Sequence, residues 1–425
     1  MASFTEIMAT VLFGLAILHT FSVAFIARLA ERGGRHAGVW HLLAEVEIAF
    51  GVWACILFVF MALTGGLQSA VSYLEGRDFT EPAFIFVIMV VAASRPITEL
   101  VRRGVYALAG VLPFSTSLSR FFVIMTLVPL SGSFITEPAA MTLAALLLRD
   151  TYFGHPGKEG YKYLIVGVLF VNVSIGGVLT AYAAPPVLMV AHAFGWDTAF
   201  MAMHFGWRAV LAVLVNSIAL TFICRPFLQE IDTASVDAQS EGETAVPVTV
   251  TFVHLAFLLA IVLSSHHIKV FLALLVLFIG YSQAYKRHQS PLLLREGFMV
   301  GFFLAGLVTL GGLQQWWLQE VLTGLPPIVL YFGAAALTAI TDNAALTYLG
   351  SLVEGTGELW RYMLVAGAVT GGGLTVIANA PNPAGYSLLK GYFKDGAISP
   401  LRLLGAALAP TLVAVVMFLL PNTFG

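Results

Sequence analysis

Ser133-Phe134-Ile135-Thr136-Glu137-Pro138-Ala139-Ala140 and Thr338-Ala339-Ile340-Thr341-Asp342-Asn343-Ala344-Ala345 decide the fold. Each contains Ile-Thr, an acid, one variable residue and Ala-Ala, and each interrupts a long apolar stretch, 119–148 in the first case and 327–353 in the second. A single helix of about thirty residues would be about 45 Å long, too long for a hydrocarbon layer of roughly 30 Å. Two half-helices of about twelve residues each reach about 18 Å, near the midplane. The pattern predicts two re-entrant hairpins whose tips, with their acids, lie in the middle of a bilayer.

A second pair of matching strings lies downstream of the tips. Gly176-Gly177-Val178-Leu179-Thr180-Ala181-Tyr182-Ala183-Ala184-Pro185-Pro186 answers to Gly371-Gly372-Gly373-Leu374-Thr375-Val376-Ile377-Ala378-Asn379-Ala380-Pro381, with the glycines, Leu-Thr and a trailing proline in register. The tip acids, 137 and 342, lie 205 residues apart and the threonines, 180 and 375, lie 195 apart, so the first half carries ten extra residues, which the loop around Gly154–Gly160 takes up. These strings interrupt two further apolar stretches, 163–194 and 361–392.

Composition agrees with a membrane setting. Of 425 residues 59% are apolar and 10% charged, with 21 basic against 23 acidic side chains, and the mean hydropathy is +0.90. A water-facing domain carries about 25% charged residues, so most of this exterior must face lipid. No concentrated basic face exists, which excludes nucleic acid as a partner. The two cysteines, Cys55 and Cys224, lie in apolar stretches and form no disulfide framework. Met1–Thr10 has no basic residue before the first apolar run, so the first segment is expected to stay as a membrane helix and not to be cleaved as a signal.

Further spans are predicted near 8–28, 42–64, 83–93 extended toward 103, 205–224, 249–264, 269–285, 297–317 and 401–420. With both termini outside and the two hairpins returning to the side they enter, seventeen basic residues fall inside and four, Arg77, Arg208, Lys269 and Arg361, outside. That is the bias of an inner-membrane protein with positive loops inside, and it vanishes if the hairpins are counted as full spans. The fold class is an all-α polytopic membrane protein of about ten full spans plus two hairpins, built as two inverted repeats. The first repeat is 1–224, with scaffold spans in 1–110 and the hairpin and broken helix in 111–224. A polar cytoplasmic linker, 225–248, joins it to the second repeat, 249–425, with scaffold spans in 249–326 and the hairpin and broken helix in 327–425. The linker's acids, Glu230, Asp232, Asp237, Glu241 and Glu243, read as a solvated loop.

Broken helices at corresponding positions of inverted halves point to a transporter's binding site. Freed carbonyls suit a small hard cation and freed amides an anion, and both ligands stay open on that ground. The tip acids narrow the choice. A carboxylate at membrane depth costs about 2.5–3.5 kcal/mol on insertion scales, and burial disfavours its charged form, so such an acid tends to hold a proton or a cation. Alternation of H⁺ and Na⁺ on Glu137 and Asp342 gives exchange, and Thr136, Thr341 and Asn343 are the candidate neutral ligands; Na⁺ is placed at Glu137, Asp342 and Asn343. Against this stands simple helix capping: Thr-Asp-Asn before an apolar run is N-cap chemistry, and Glu137-Pro138 reads as a helix start. Thr180, Pro185, Thr375, Asn379 and Pro381 are expected to line the substrate pocket.

Other polar residues read as structural. Glu45 and Glu47 are expected to snorkel or to pair with Arg35, and His19, His192, His204 and His254 to be packing histidines. His266-His267 has no acid or cysteine at ligand spacing, so no zinc site is expected, and no catalytic triad or phosphate loop is visible. The glycines 371–373 lack the Gly-Lys-Ser/Thr ending of such a loop. Neither an enzyme nor a cofactor is expected, only transported Na⁺ and H⁺.

The strings 174–186 and 134–140, with their partners in the second half, resemble the ion transporter superfamily, which includes divalent-anion/sodium symporters, citrate carriers, arsenite efflux pumps and several sodium/proton antiporters. Within it the chain is most similar to the bacterial family named putative Na⁺/H⁺ antiporter. In the carboxylate symporters the tips carry Ser-Asn-Thr, which binds sodium and the substrate carboxylate; here Thr136-Glu137-Pro138 and Thr341-Asp342-Asn343 take those places, and acids there repel a dicarboxylate. The resemblance implies a homodimer, a scaffold of spans one to three and seven to nine, and a transport domain of hairpins and broken helices that moves as an elevator. The expected activity is monovalent cation/proton antiport; the alternative is a Na⁺- or H⁺-coupled carrier of a small organic anion.

Overall fold

The computed structural model describes residues 3–31, 33, 36–45, 47–155, 159–231 and 245–421. Arg32, Arg35, Lys158 and the linker acids Asp232, Asp237, Glu241 and Glu243 lie outside the described residues. Among those described, all regular structure is helical. In chain order the helices are α1 (Phe4–Glu31), α2 (Ala37–Leu43), α3 (Ile48–Gly65), α4 (Leu67–Glu75), α5 (Thr80–Ala92), α6 (Arg95–Val111), α7 (Thr116–Ile135), α8 (Glu137–Leu148), α9 (Glu159–Gly176), α10 (Pro185–Phe194), α11 (Thr198–Met201) and α12 (Trp207–Gln229). After the linker come α13 (Val248–Leu263), α14 (Ile268–Ala284), α15 (Leu294–Gly311), α16 (Gln315–Leu322), α17 (Pro327–Thr338), α18 (Asn343–Ser351), α19 (Glu358–Gly371), α20 (Asn382–Leu389) and α21 (Pro400–Phe418).

Seven of the described helices are long and apolar enough to cross a membrane, and eight when α5 and α6, which meet at 63°, count as one. The sequence reading of about ten spans differs because α13 and α14, of 16 and 17 residues, and α19, of 14, fall short of the hydrocarbon thickness, whereas α7, expected as a hairpin arm, is long enough to count. The stretch 119–148 also divides unevenly. Its first arm, α7, has 20 residues and is long enough to cross by itself, while α8 has 12; in the second stretch α17 has 12 and α18 has 9.

The helices pack in two groups. One holds α1, α3, α5, α13, α14 and α15; the other holds α7–α10, α12 and α17–α21. They meet where α6 lies on α7 and α8, where α5 touches α7, α8 and α10, and where α15 and α16 touch α18. In the second group α7 and α8 run back along each other: Tyr152, just beyond α8, donates to the carbonyl of Ser117 at the start of α7 over 2.8 Å, and its ring meets Phe121 at 5.3 Å. The closest approach is that of α17 and α19. A Cβ at Gly367 would overlap the carbonyl of Tyr331, and one at Gly371 that of Ala335, so this small-xxx-small pair lets two backbones touch where lipid offers no hydrophobic driving force.

Polar residues inside the second group serve its backbone. Pro129 lies within α7 and has no N–H for the carbonyl of Met125 four residues earlier. Asn172 of α9 and Ser217 of α12 donate to that carbonyl at 3.0 and 2.8 Å, and Asn216 joins Asn172 to the carbonyl of Pro410 in α21. One proline thus binds α7, α9, α12 and α21 into a block.

Candidate functional site

At the first tip α7 ends at Ile135 and α8 starts at Glu137, and the chain turns on a single residue. Thr136 has φ 72° and ψ 150°, a region that is essentially glycine's alone; it is the one non-glycine residue with positive φ among those described. Pro138 suits the first turn of α8, where a missing N–H costs nothing. Glu137 is therefore fully buried at the head of a helix. Its Oε2 accepts from Asn379 Nδ2 at 2.8 Å, and its Oε1 has no partner. The break in the next helix makes room for it: a Cβ at Gly177 would stand 2.6 Å from Glu137 Cγ.

Each break is tied to its own tip in a matching way. Ser133 donates to the carbonyl of Gly176 at 2.7 Å and accepts from the Leu179 amide at 2.9 Å, while Thr180 donates to the carbonyl of Ser133 at 2.6 Å. In the second half Thr375 donates to the carbonyl of Ala339 at 2.8 Å, and the Asn343 amide donates to the carbonyl of Ala378 at 3.1 Å. Asn382 donates to the carbonyls of Gly372 and Thr375, both at 2.8 Å. Backbone groups that lipid cannot satisfy find their partners here. The Glu137–Asn379 bond then joins the two halves, so all four breaks form one hydrogen-bonded cluster.

Asp342 differs from Glu137. Its Oδ1 accepts from the amides of Ala344 and Ala345 at 2.8 and 3.2 Å and caps α18, and the side chain is half-buried between two cavities. One, of about 380 Å³, is walled by apolar side chains such as Phe13, Ile17, Leu330 and Leu346, with Thr341 beside Asp342. The other, of about 30 Å³, lies between Glu47 and Asp342 and is also lined by Asn379.

Around the cluster buried oxygens stand without partners: Thr136 Oγ1, Thr338 Oγ1, Glu137 Oε1 and the side-chain Oδ1 atoms of Asn343, Asn379 and Asn382. A buried polar atom left unpaired costs about 1–3 kcal/mol, and several together in one place mark where an ion or ordered water belongs. The structure gathers Thr136, Glu137, Asp342, Asn343 and Asn379 here. Thr180 and Thr375 commit their protons to the tips. The Thr341 hydroxyl donates to the carbonyl of Leu337 at 2.9 Å and faces the apolar cavity. Pro185 starts α10 and Pro381 stands at the N-cap of α20. Among the described residues no three His, Cys, Asp or Glu side chains converge as metal ligands.

Sequence reasoning missed Ser133, Thr338, Asn382 and Glu47. Ser133 and Thr338 stand at the same place in the two tip strings, a signal available from the repeat. Asn382 adjoins Pro381 and carried no signal of its own. Glu45 and Glu47 diverge: Glu45 pairs with Arg295 at 2.6 Å, whereas Glu47 lines the small cavity; Arg35, the partner expected for them, lies outside the described residues. His19 and His254 are satisfied packing residues, the first between the carbonyl of Leu43 and Trp53, the second between the carbonyl of Val250 and Gln289.

The model of the family described as "Putative Na+/H+ antiporter" matches residues 4–421, nearly the whole chain. The chain belongs to that family. No curated protein matches it. Membership in a Na⁺/H⁺ antiporter family, together with the long apolar helices, makes this a multi-pass membrane protein of a transporter family.

Proposed function

We propose that the protein is a secondary active transporter that exchanges a monovalent cation, Na⁺ first, for H⁺, with Glu137 and Asp342 as the carriers. The observation that carries this reading is the Glu137–Asn379 bond, made by two buried side chains that each keep an oxygen without a partner. A fully buried carboxyl group is neutral with a proton and needs a counter-cation without one. The neighbouring neutral oxygens of Thr136, Asn343 and Asn379 are the ligands a dehydrated cation needs in place of water. Proton and cation then compete for one acid, and that competition is exchange. Asp342 supplies a second carboxylate within reach of the same asparagine.

The organic-anion reading gains nothing from this geometry. The amides at the start of α18, which a substrate carboxylate would use, are occupied by Asp342, and the small cavity presents two acids. The α7–α8 fold-back supports a re-entrant hairpin from the inside, and the matching ties of Thr180 and Thr375 support two repeats of opposite orientation. Two packing groups, joined at α6–α7, along α5 and at α15–α18, suit an elevator in which the second group moves. A homodimer in the inner membrane with both termini outside completes the reading, from the resemblance and the distribution of basic residues.

A pH-sensitive dye in everted vesicles or proteoliposomes tests it, with Na⁺, Li⁺, K⁺ and a panel of dicarboxylates added to wild type, Asp342→Asn and Glu137→Gln. Cation-triggered proton movement that falls at least about a hundredfold in Glu137→Gln and Asp342→Asn is expected, in line with the loss of roughly 3 kcal/mol or more when a buried charge pair is broken. Silence to all cations with a response to an anion overturns it.

A further inference from the structure

Glu47 precedes α3 and makes no cap bond with it. The helix it heads is locked against α15, with the rings of Phe50 and Phe303 edge-on at 5.2 Å, so Glu47 belongs to the first packing group while Asp342 belongs to the second. The two acids nevertheless border one cavity, with Phe303 on Glu47's side and Asn379 on Asp342's. Its volume of about 30 Å³ is room enough for a water or a dehydrated monovalent cation. Asn379 is 1% exposed and its Oδ1 lacks a partner, while its amide nitrogen holds Glu137. Arg295 is engaged by Glu45, and Glu47 has no ion pair among the described residues. Two carboxylates across a space of that size repel unless one of them holds a proton or a cation stands between them, the same competition that exchange requires.

We propose that Glu47 is a cation-binding residue: it lends a carboxylate from the first helix group to a monovalent cation held by Asp342 and Asn379, so that in this conformation the ion bridges the two groups. The inference rests on the exchange reading above and adds a ligand from outside the hairpins and broken helices. It explains why an acid is tolerated in an apolar run with its neighbour's arginine already taken. It also makes cation binding on this side depend on a residue that does not travel with the second group.

The test compares Glu47→Gln, Glu47→Asp and Glu45→Gln with wild type in everted vesicles, reading the Na⁺ concentration for half-maximal proton movement and the maximal rate. Glu47→Gln is expected to raise the half-maximal Na⁺ concentration at least about tenfold, which is about 1.4 kcal/mol, with the maximal rate within about threefold; Glu47→Asp lies between, and Glu45→Gln stays within about twofold. Na⁺-induced thermal stabilisation of the purified protein, measured against choline chloride, is expected to shrink in Glu47→Gln and persist in Glu45→Gln, which separates lost binding from damaged folding. Should Glu47→Gln not fold, Glu47→Asp carries both measurements. An unchanged half-maximal concentration and unchanged stabilisation in a folded Glu47 variant overturn this assignment alone. A wild type that responds to no cation overturns it together with the exchange reading.

Discussion

Thr136 is where strain and function meet in one residue. A β-branched side chain at φ 72° costs on the order of 1–3 kcal/mol, and its hydroxyl is buried with no partner. Glycine would hold the turn without that strain, so on the proposed reading the threonine serves through its oxygen. Thr136→Gly is accordingly expected to melt at the same temperature as wild type or higher, yet to bind Na⁺ several-fold more weakly; Thr136→Ala retains the strain, loses the oxygen, and shows the weaker binding with no gain in stability. Thermal unfolding in detergent with and without Na⁺ checks both. A Thr136→Gly protein that is less stable and binds Na⁺ normally would make the residue a structural one. Glu137 and Asp342 show a different contrast at the same scale. They match in sequence, but one is a fully buried acid held through one oxygen by Asn379 and the other a cap, so equivalence of position does not give equivalence of role.

At the scale of elements, the broken helices persist because each freed backbone group has a named partner, and the same logic holds α7 together around Pro129. The carbonyl of Met125 that the proline leaves free is taken by Asn172 and Ser217. Asn172→Leu keeps the volume and removes the donor, and is expected to lower stability by about 1–3 kcal/mol. In a Pro129→Ala background, where the amide restored at that position can donate to the carbonyl of Met125, part of that penalty disappears, and a double-mutant cycle on thermal stability reads the difference. Additive effects would mean that the asparagine does not serve the proline's carbonyl. The breaks themselves were legible in the chain, since Gly176-Gly177, Pro185, Gly371–Gly373 and Pro381 punctuate apolar runs with residues whose backbone behaviour is known in advance. The lengths of the arms were not, because the run from Thr116 to Ile135 contains no breaker strong enough to mark an end, Pro129 notwithstanding once its carbonyl is bonded elsewhere.

In the whole molecule, what the sequence left hidden is what joins residues far apart. Glu47 and Asp342 are nearly three hundred positions distant, at the heads of helices in different packing groups, and share only the lining of one cavity, so no local pattern pairs them. Glu137 and Asn379 were both legible as candidates, but their bond needs the halves to interlock. The same contact between groups is where the proposed elevator movement can be tested. Tyr348 of α18 reaches the carbonyl of Val308 in α15 at 3.3 Å, and a Cβ at Gly311 would fall within 2.6 Å of its ring, so replacing both by cysteine sets two thiols across the boundary with the space the ring vacates. In a background where Cys55 and Cys224 are serine, bridging Gly311→Cys to Tyr348→Cys with a short bifunctional maleimide is expected to reduce exchange by at least about tenfold, while each single variant treated with the same reagent keeps its rate. The bridge joins α15 to α18 without touching Glu137, Asp342 or Asn379, so the loss reads motion and not ligation. Na⁺-induced thermal stabilisation should survive in the bridged protein, because the ion in this conformation sits between the same two groups that the bridge holds together. Full exchange in the bridged protein would mean that α18 does not move past α15, and the cation would then have to reach both faces through a fixed pair of groups.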